Sequence, residues 1–322
     1  MKRGIYFIIC SLLICSCSTK QSHLIKATGK VGEVVVVIDK NIWNGNIGNM
    51  LRQQLANKYP LLPQDEATFK LYPIPKSSFT DDFNTRRNIL CINIKQEHKI
   101  PTFTVKRNVW ATEQIVIEIT AASENEMLKF LKSKSKIIYD TLLNEERERY
   151  RQVYSMFREK SLITPIKKFD IDLIIPKGYK LILDTTDFVW ITSETPYITL
   201  GLFVYTVPCI DTTVFEIKNM LLLRDSVLRK YIPGTLSGTY MTTEYNYPYT
   251  EKRFILNQHI AYEIRGLWSM ENDFMGGPFV SLSTINKDNK VVVIEGYVYA
   301  PKEDKKPYLW QLESILYSLT HR

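Results

Sequence analysis

The pattern that most limits the fold of this chain is one long helix signal between two groups of short apolar runs. Ser123 and Glu126 form a capping box, and apolar residues then recur at near-helical spacing to about Glu159. A continuous helix of this length would be on the order of 50 Å long, at 1.5 Å per residue. Charged residues fill its other faces, which favours a solvated surface; a basic contact with a membrane or a partner is the alternative.

Strand patterns lie on both sides of this helix. Apolar or alternating runs predict strands at residues 33–38, 69–74, 88–95, 102–107 and 114–120 before it, and at 171–175, 188–193, 197–207, 259–268, 279–285 and 291–300 after it. Further helices are predicted at about 47–59, at 213–231 and near the C-terminus. Because strict βαβ alternation is lacking, we predict an α+β fold of two halves, each an antiparallel sheet packed with helices.

The N-terminal segment has the features of an export signal. A short basic region precedes an apolar stretch, residues 5–14, that is too short to span a bilayer as a stable helix. The stretch ends in "ICSC", an order that resembles the lipobox of bacterial lipoproteins, in which the cysteine is acylated and the leader is removed. The sequence therefore predicts lipidation of Cys17. An ordinary secretory leader is the alternative, and Cys15 suits lipidation less because bulky Ile14 precedes it.

The breaks in these patterns define the predicted domain organisation. The predicted segments are a signal peptide at 1–16, a lipidated tether at 17–30, a first half at 31–160 that ends in the long helix, a linker at 161–169, and a second half at 170–322. The linker is predicted there because Pro165 and the loss of helical periodicity separate the two halves.

The charge balance limits the partners. The chain of 322 residues has 42 basic and 34 acidic side chains, a formal net charge of +8. This mild excess favours anionic lipids or glycans as neighbours. For a chain predicted to leave the cytoplasm, we expect a membrane and an envelope protein or glycan as partners, and neither nucleic acid nor nucleotide.

The loop after the first strand comes closest to a nucleotide-binding motif. In "VVVVIDKNIWNGNIGNML", Gly45 and Gly48 match a fragment of G-x-G-x-x-G, but six residues separate Gly45 from the strand. The Lys and Ser/Thr that end a P-loop are missing. We expect that Gly45 allows a positive φ and that Asn44 or Asn46 caps the next helix; anion capture by the helix start is the alternative.

The sequence completes no catalytic or metal motif. Its four histidines are scattered, and neither H-E-x-x-H nor G-x-S-x-G occurs. Ser133 and Lys136 satisfy S-x-x-K, but they lie on the charged side of the long helix. We therefore expect no metal, no cofactor and no catalytic residue.

Two glutamates on apolar strands are the strongest candidates for a polar site. Glu295 is the one charge in "VVVIEGYVYA", and Glu263 shares a strand face with Arg265. If these strands are neighbours, Arg265 pairs with Glu295 and the acid is structural. The alternative is a binding pocket with these three residues as its floor and with Trp268 and Tyr297 as its rim.

Two cysteines, Cys91 and Cys209, lie beyond the leader and the lipid site. They form either a disulfide between the halves or two separate thiols. The apolar run around Cys91 favours buried thiols.

Several motifs together carry a resemblance to a known family. The lipobox, "LPQDEATFKLYPIP", "VWATEQIV", "NEERER" and "RGLWSMENDFMGGPFVS" resemble a family of lipoproteins of Bacteroidetes-type bacteria that is catalogued as a domain of unknown function. The order of elements in the second half, with "IIPKGY", "AYEIRG" and "VVVIEGYVYAP", is similar to the α/β/α sandwich of the PsbP and Mog1 type. These resemblances imply an envelope lipoprotein and a binding or assembly fold, and they imply no reaction.

The functional expectation is a lipid-anchored, non-enzymatic binding or assembly factor at the membrane face. Ser18, not Asp, follows Cys17, which by resemblance to known sorting patterns suggests the outer membrane with the domain facing the periplasm. The alternative is an envelope hydrolase of glycan or peptide with Glu263 and Glu295 as acid and base. Assembly through the long helix is a third hypothesis.

Overall fold

The computed structural model describes residues 24–209 and 211–322. The predicted signal peptide, residues 1–16, and the predicted lipidation site, Cys17, lie outside the described residues. In the described part of the chain, no helix combines the length and the apolar composition that a membrane crossing requires.

The first half contains the long helix that the sequence predicts. Its strands are β1 (Ile25–Lys26), β2 (Glu33–Val37), β3 (Lys70–Ile74), β4 (Asn88–Ile94), β5 (Thr102–Arg107), β6 (Ala111–Thr112) and β7 (Ile115–Ala121), and its helices are α1 (Lys40–Asn44), α2 (Asn46–Leu55), α3 (Asp81–Asn84) and α4 (Glu124–Met156). The Ser123 hydroxyl caps α4 by accepting a hydrogen bond from the backbone N–H of Glu126, so the predicted capping box is confirmed at this position.

The main sheet of the first half is mostly parallel, and the prediction of an antiparallel sheet was wrong here. Its strand order is β3-β2-β4-β7-β5; β2 pairs in parallel with β3 and β4, and β4 pairs in parallel with β7. The edge strand β5 is antiparallel to β7. Strands of a parallel sheet are covered on both faces and read as continuous apolar runs, as residues 34–38 do. That run is the sequence signal for parallel pairing.

The second half is built on a large antiparallel sheet, as predicted. Its helices are α5 (Ile163–Lys167), α6 (Ile217–Tyr231) and α7 (Lys306–Leu316), and its strands are β8 (Ile171–Asp172), β9 (Lys180–Asp184), β10 (Phe188–Glu194), β11 (Thr199–Pro208), β12 (Met241–Thr243), β13 (Thr250–Leu256), β14 (His259–Met270), β15 (Gly276–Ile285), β16 (Lys290–Tyr299) and β17 (Thr320–His321). The sheet order is β12-β14-β15-β16-β11-β10-β9, with β13 also paired to β14. Of the strands in this sheet, the sequence patterns missed β9, β12 and β13.

The two halves share a layer of helices. α4 packs on β4 and β7 of the first sheet, α2 packs against α4, α4 contacts α7, and α7 packs on β15 and β16 of the second sheet. Buried side chains from both halves form one hydrophobic cluster around this layer. α6 covers the opposite face of the second sheet with a separate apolar cluster. The α+β class is therefore confirmed, as four layers in the order sheet, helices, sheet, helix.

Side chains from each half fix α7 in this layer. Trp310 of α7 is fully buried between rings of the first half, with centroid distances of 6.0 Å to Tyr59 and 5.8 Å to Phe69. The Glu66 carboxylate accepts hydrogen bonds of 2.6 and 3.0 Å from the backbone N–H groups of Lys305 and Lys306. A carboxylate of the first half thus satisfies the free donors at the start of a helix of the second half.

The segment predicted as a linker, residues 161–169, is packed against the shared core. It contains α5, and its Leu162, Ile166 and Phe169 side chains are buried. The connection between the halves is therefore itself part of the packed structure.

The chain joins the fold earlier than the predicted tether, residues 17–30, would allow. β1 pairs in parallel with β6, and the Thr28 backbone bridges to Arg86. Residues 25–28 therefore already contact the first half. The end of the predicted tether overlaps residues that belong to the fold.

The glycine loop after β2 is a junction between two helices. Gly45 is the N-cap of α2 with a φ of −92°, so the predicted positive φ was wrong, and the predicted caps Asn44 and Asn46 lie on either side of it. Gly48 has a packing role: a Cβ atom there would lie 1.8 Å from the Trp43 carbonyl oxygen. Close helix contact accounts for this glycine.

We predict that Gly48→Ala lowers the free energy of unfolding by about 1–3 kcal/mol, because the added methyl group meets a backbone oxygen. The matched control is Gly45→Ala, whose Cβ would lie 3.4 Å from the Asn41 carbonyl oxygen, an ordinary contact. Urea unfolding of both variants measures the difference. Equal stability of the two variants would contradict the close approach of α1 and α2.

Candidate functional site

Arg265 of β14 is at the centre of a buried ion network between the halves. Its Nε donates to Glu263 Oε1 at 2.8 Å, and its Nη2 donates to Glu263 Oε2 at 3.1 Å. Its Nη1 donates to Glu313 Oε1 of α7 at 2.5 Å and to the Tyr59 hydroxyl of the first half at 3.0 Å. One guanidinium group thus joins the second sheet, α7 and the first half.

The long helix supplies a second cation to the same network. Arg147 of α4 donates from Nε and Nη2 to Glu313 Oε2 at 2.8 and 2.5 Å, and its guanidinium lies 4.4 Å from the centroid of the Tyr317 ring. The Tyr317 hydroxyl donates to Glu263 Oε2 at 2.6 Å. We call this set the inter-half network: Tyr59, Arg147, Glu263, Arg265, Glu313 and Tyr317.

The network keeps its carboxylates charged although they are buried. Burial alone raises the pKa of Glu263, but the charge of Arg265 and hydrogen bonds from Arg265 and Tyr317 outweigh it and lower this pKa to about 2. Burial likewise opposes the charged form of Glu313, and Arg147 and Arg265 overcome it and lower its pKa. Both groups are therefore poor proton donors at neutral pH.

A second buried network attaches α4 to the first sheet. The Glu146 carboxylate accepts a hydrogen bond from Asn88 Nδ2 at 2.7 Å and lies 2.8 Å from Arg87 Nη2. Arg149 Nη1 donates to Asn88 Oδ1 at 2.9 Å. Glu145, Glu146 and Arg149 are buried, so the prediction that the charges of this helix form a solvated face was wrong for these three.

Glu295 has a different partner from the predicted one. It accepts hydrogen bonds from Arg224 of α6, with Nε at 2.8 Å from Oε2 and Nη2 at 2.7 Å from Oε1. Arg224 also lies 4.0 Å from the Phe279 ring centroid and donates to the Thr243 hydroxyl at 2.9 Å. Burial raises the pKa of the Glu295 carboxyl, and the Arg224 guanidinium opposes that shift.

The five predicted site residues lie on two faces of one sheet. In the strand register, Glu263 is paired with Leu282 of β15. Glu295 is paired with Ser281, the residue before Leu282 on the same strand. Neighbouring residues of a strand face opposite sides, so Glu263 and Arg265 face α7 and the first half, whereas Glu295 faces α6. The predicted Arg265 to Glu295 pair was therefore wrong.

Trp268 and Tyr297 accompany Glu295 on the α6 side. Their rings meet edge to face at 5.5 Å between centroids, and both side chains are buried. They therefore pack within the apolar cluster under α6 and do not form a pocket rim.

This arrangement gives the hydrolase alternative no support. A glycosidase holds its two carboxyl groups on either side of one scissile bond. Here Glu263 and Glu295 are separated by the sheet itself, and each is held by an arginine.

The sequence contains a signal for the two buried partners that the sequence analysis missed, Arg224 and Glu313. Arg224 lies one helical turn from Met220 and from Leu228, both buried, and Glu313 follows Leu309 and Leu312 on the apolar face of α7. A charge on an apolar helix face indicates burial with a counter-charge. The identity of that counter-charge depends on tertiary packing, which the sequence pattern does not contain.

Beside the inter-half network lies an open cleft between α4 and the second half. Its volume is about 420 Å³, within the usual range for ligand sites, and boundaries between structural units often hold such sites. We call it the inter-half cleft, and its lining residues are Arg107, Thr141, Asn144, Glu145, Arg147, Glu148, Arg151, Leu256 and Tyr317.

Two arginines of the inter-half cleft remain accessible to solvent. The Arg107 side chain is 58% exposed, and its Nε donates to Glu145 at 3.0 Å. Arg151 is 41% exposed and pairs with Glu148. These groups offer hydrogen-bond donors and acceptors to a polar ligand along one wall.

The described residues contain no ready metal site. Within residues 24–209 and 211–322, no cluster of three or more His, Cys, Asp or Glu side chains is placed to hold an ion. Cys91 and Cys209 are separate free thiols, each half-buried, and burial raises the pKa of Cys91 to about 11.

The fold and these contacts define a protein of two α+β halves joined by buried ion pairs. Residues 27–155 match the family model described as "Domain of unknown function (DUF8532)", and residues 160–318 match the model described as "Domain of unknown function (DUF4837)". The chain thus carries two domains from families catalogued as domains of unknown function, as the resemblance implied. No curated protein matches the chain. Its lipoprotein character and its likeness to PsbP and Mog1 stay predictions.

We predict that Arg224→Ala lowers the free energy of unfolding by about 3–5 kcal/mol, because it leaves a buried carboxyl group without its cation. Lys218→Ala, an exposed position on the same helix, serves as the control and is expected to change it by less than about 0.5 kcal/mol. Urea unfolding followed by circular dichroism measures both. The double variant Arg224→Met/Glu295→Leu removes both charges and is expected to regain much of the loss; a double variant as unstable as Arg224→Ala would contradict the pairing.

We also predict that acid weakens the fold through Glu263. Its pKa of about 2 in the folded chain lies below its ordinary value of 4.5, so its stabilising effect is complete above the ordinary value and is lost as pH falls to 2. The difference corresponds to roughly 3 kcal/mol. Unfolding free energies at several pH values between 2 and 6 should fall less steeply in Glu263→Gln than in the natural chain. If the unfolding free energies of Glu263→Gln and of the natural chain fall equally steeply with pH, the lowered pKa of Glu263 does not contribute to stability.

Proposed function

We propose that this chain is a lipid-anchored, non-enzymatic binding protein of the cell envelope, and that the inter-half cleft holds a segment of a partner protein. The anchor is Cys17, and the proposed location is the outer membrane with the fold facing the periplasm. The features in favour are the lipobox-like "ICSC" and Ser18 after the cysteine.

The observation that carries the binding proposal is the pair of exposed arginines in the cleft wall. A guanidinium group has five N–H donors, and the contact from Arg107 to Glu145 uses its Nε, so its terminal amino groups are available to a ligand. Arginine binds carboxylates with two parallel hydrogen bonds. Glu145 and Glu148 alternate with the arginines, so the fitting partner is a peptide segment that presents both acidic and hydrogen-bond donor groups.

The non-enzymatic part of the proposal is supported by the state of the buried carboxylates. Glu263, Glu295 and Glu313 are each paired with arginine and shielded from solvent. Groups held in this way stabilise a structure and are poorly placed to exchange protons with a substrate.

We predict that a photo-crosslinking amino acid at Asn144 captures a discrete partner protein in living cells. Asn144 is exposed and lines the inter-half cleft. The matched control is the same amino acid at Lys134, which is exposed on the same helix outside the cleft. The Asn144 adduct should weaken at least about tenfold when Arg107→Ala and Arg151→Ala are combined, because each charged hydrogen bond contributes about 1.5–3 kcal/mol and about 1.4 kcal/mol is a factor of ten.

The nature of the adduct separates the outcomes. An adduct that is specific to Asn144 and is degraded by protease supports a protein partner. An adduct of polysaccharide would replace the peptide by a glycan as the ligand. Identical adducts from Asn144 and Lys134 would reject the cleft as the binding site.

A further inference from the structure

The C-terminal end of α4 carries an exposed apolar surface. Val153, Met156 and Phe157 are 36%, 70% and 58% exposed. Their spacing of three and four residues places them next to one another on one helix face. Large apolar side chains that adjoin on a surface mark a contact with a partner or a membrane.

This surface lies beside the point where the chain enters the fold. Val153 lines a small cavity together with Lys26, Ala27 and Val31. We call Val153, Met156 and Phe157 the entry patch.

The length of the preceding chain limits how far the entry patch can be from a lipid anchor. About eight peptide units separate Cys17 from Ile25, and they span at most about 29 Å when fully extended. A folded chain of about 300 residues has a radius of gyration of about 19 Å. An anchor at Cys17 therefore holds the end of the molecule that carries the entry patch against the bilayer.

Cationic side chains border the entry patch. The backbone N–H of Lys177 donates to the Phe157 carbonyl oxygen at 2.8 Å, which puts this exposed lysine beside the patch. Lys160 is exposed close to the end of α4, and Lys26 is 68% exposed while paired with Glu113. Apolar groups with a lysine border are typical of surfaces that rest on anionic lipid.

We propose that the entry patch is a membrane-contact surface, whose apolar side chains enter the headgroup region of an anionic bilayer and fix the orientation of the anchored protein. The orientation rests on the proposed lipid anchor at Cys17, but the affinity of the patch for lipid does not. A tethered protein needs little further affinity to hold such a contact, because the tether keeps the patch at high local concentration.

Vesicle flotation of residues 18–322, which lack the predicted leader and Cys17 and keep every described residue, tests the patch without the anchor. The probe is vesicles of phosphatidylethanolamine and phosphatidylglycerol, with phosphatidylcholine vesicles, which carry no net charge, as the comparison. We expect binding to the anionic vesicles, and a loss of about tenfold or more in Val153→Ser/Met156→Gln/Phe157→Ser. The control variant Leu222→Gln/Phe274→Ser removes apolar side chains that are 65% and 107% exposed elsewhere, and it should bind like the parent.

The outcomes distinguish this proposal from the proposed anchor. Equal flotation of the patch variant and the control variant, or the absence of binding by the parent, overturns the membrane-contact surface. Palmitate labelling of the natural chain, with Cys17→Ser and Cys15→Ser as a pair, tests the anchor separately. Unfolding curves of the patch variant that match those of the control variant exclude misfolding as the cause of lost binding.

Discussion

The contact between Glu313 and two arginines, Arg147 and Arg265, is the constraint on which the rest of the structure depends. These groups come from α7, from the long helix and from the second sheet, so one buried carboxylate joins three elements that are far apart in sequence. Apolar packing is tolerant of small shifts, whereas charge pairs taken out of water are stable only in good geometry. We infer that the network fixes the position of one half against the other, while the hydrophobic cluster supplies most of the stabilisation.

Sequence patterns predicted the individual helices and strands better than they predicted which strands and side chains lie next to one another. The long helix, its cap at Ser123 and the antiparallel second sheet follow from local periodicity, and local periodicity survives folding. Parallel pairing in the first sheet joins strands across intervening helices, so its only local trace was the apolar run at residues 34–38. The prediction of the Glu295 partner failed for a related reason. The sequence shows Glu295 as a lone charge in an apolar strand, but a shift of one residue in strand register changes the sheet face on which it lies. The sheet face in turn decides which arginine the carboxylate meets.

The long helix arranges both proposed surfaces. Side chains between Thr141 and Arg151 line the inter-half cleft, and Val153, Met156 and Phe157 form the entry patch. At 1.5 Å per residue, Thr141 and Phe157 are about 24 Å apart along the axis. A protein held with the entry patch on a bilayer would therefore present its cleft within a few nanometres of the lipid. Such a position suits a partner that is itself embedded in or attached to the membrane.

The boundary between the two family matches does not coincide with a boundary between two hydrophobic cores, because one hydrophobic cluster contains side chains of both halves. The matches divide the chain between residues 155 and 160, but α7 places Trp310 among rings of the first half, and Glu66 of the first half caps α7. Either half alone would leave the shared helical layer facing water on one side. In this chain the two regions match separate family models but share one hydrophobic cluster, so a replacement of either half would have to supply the apolar surface that the present half covers.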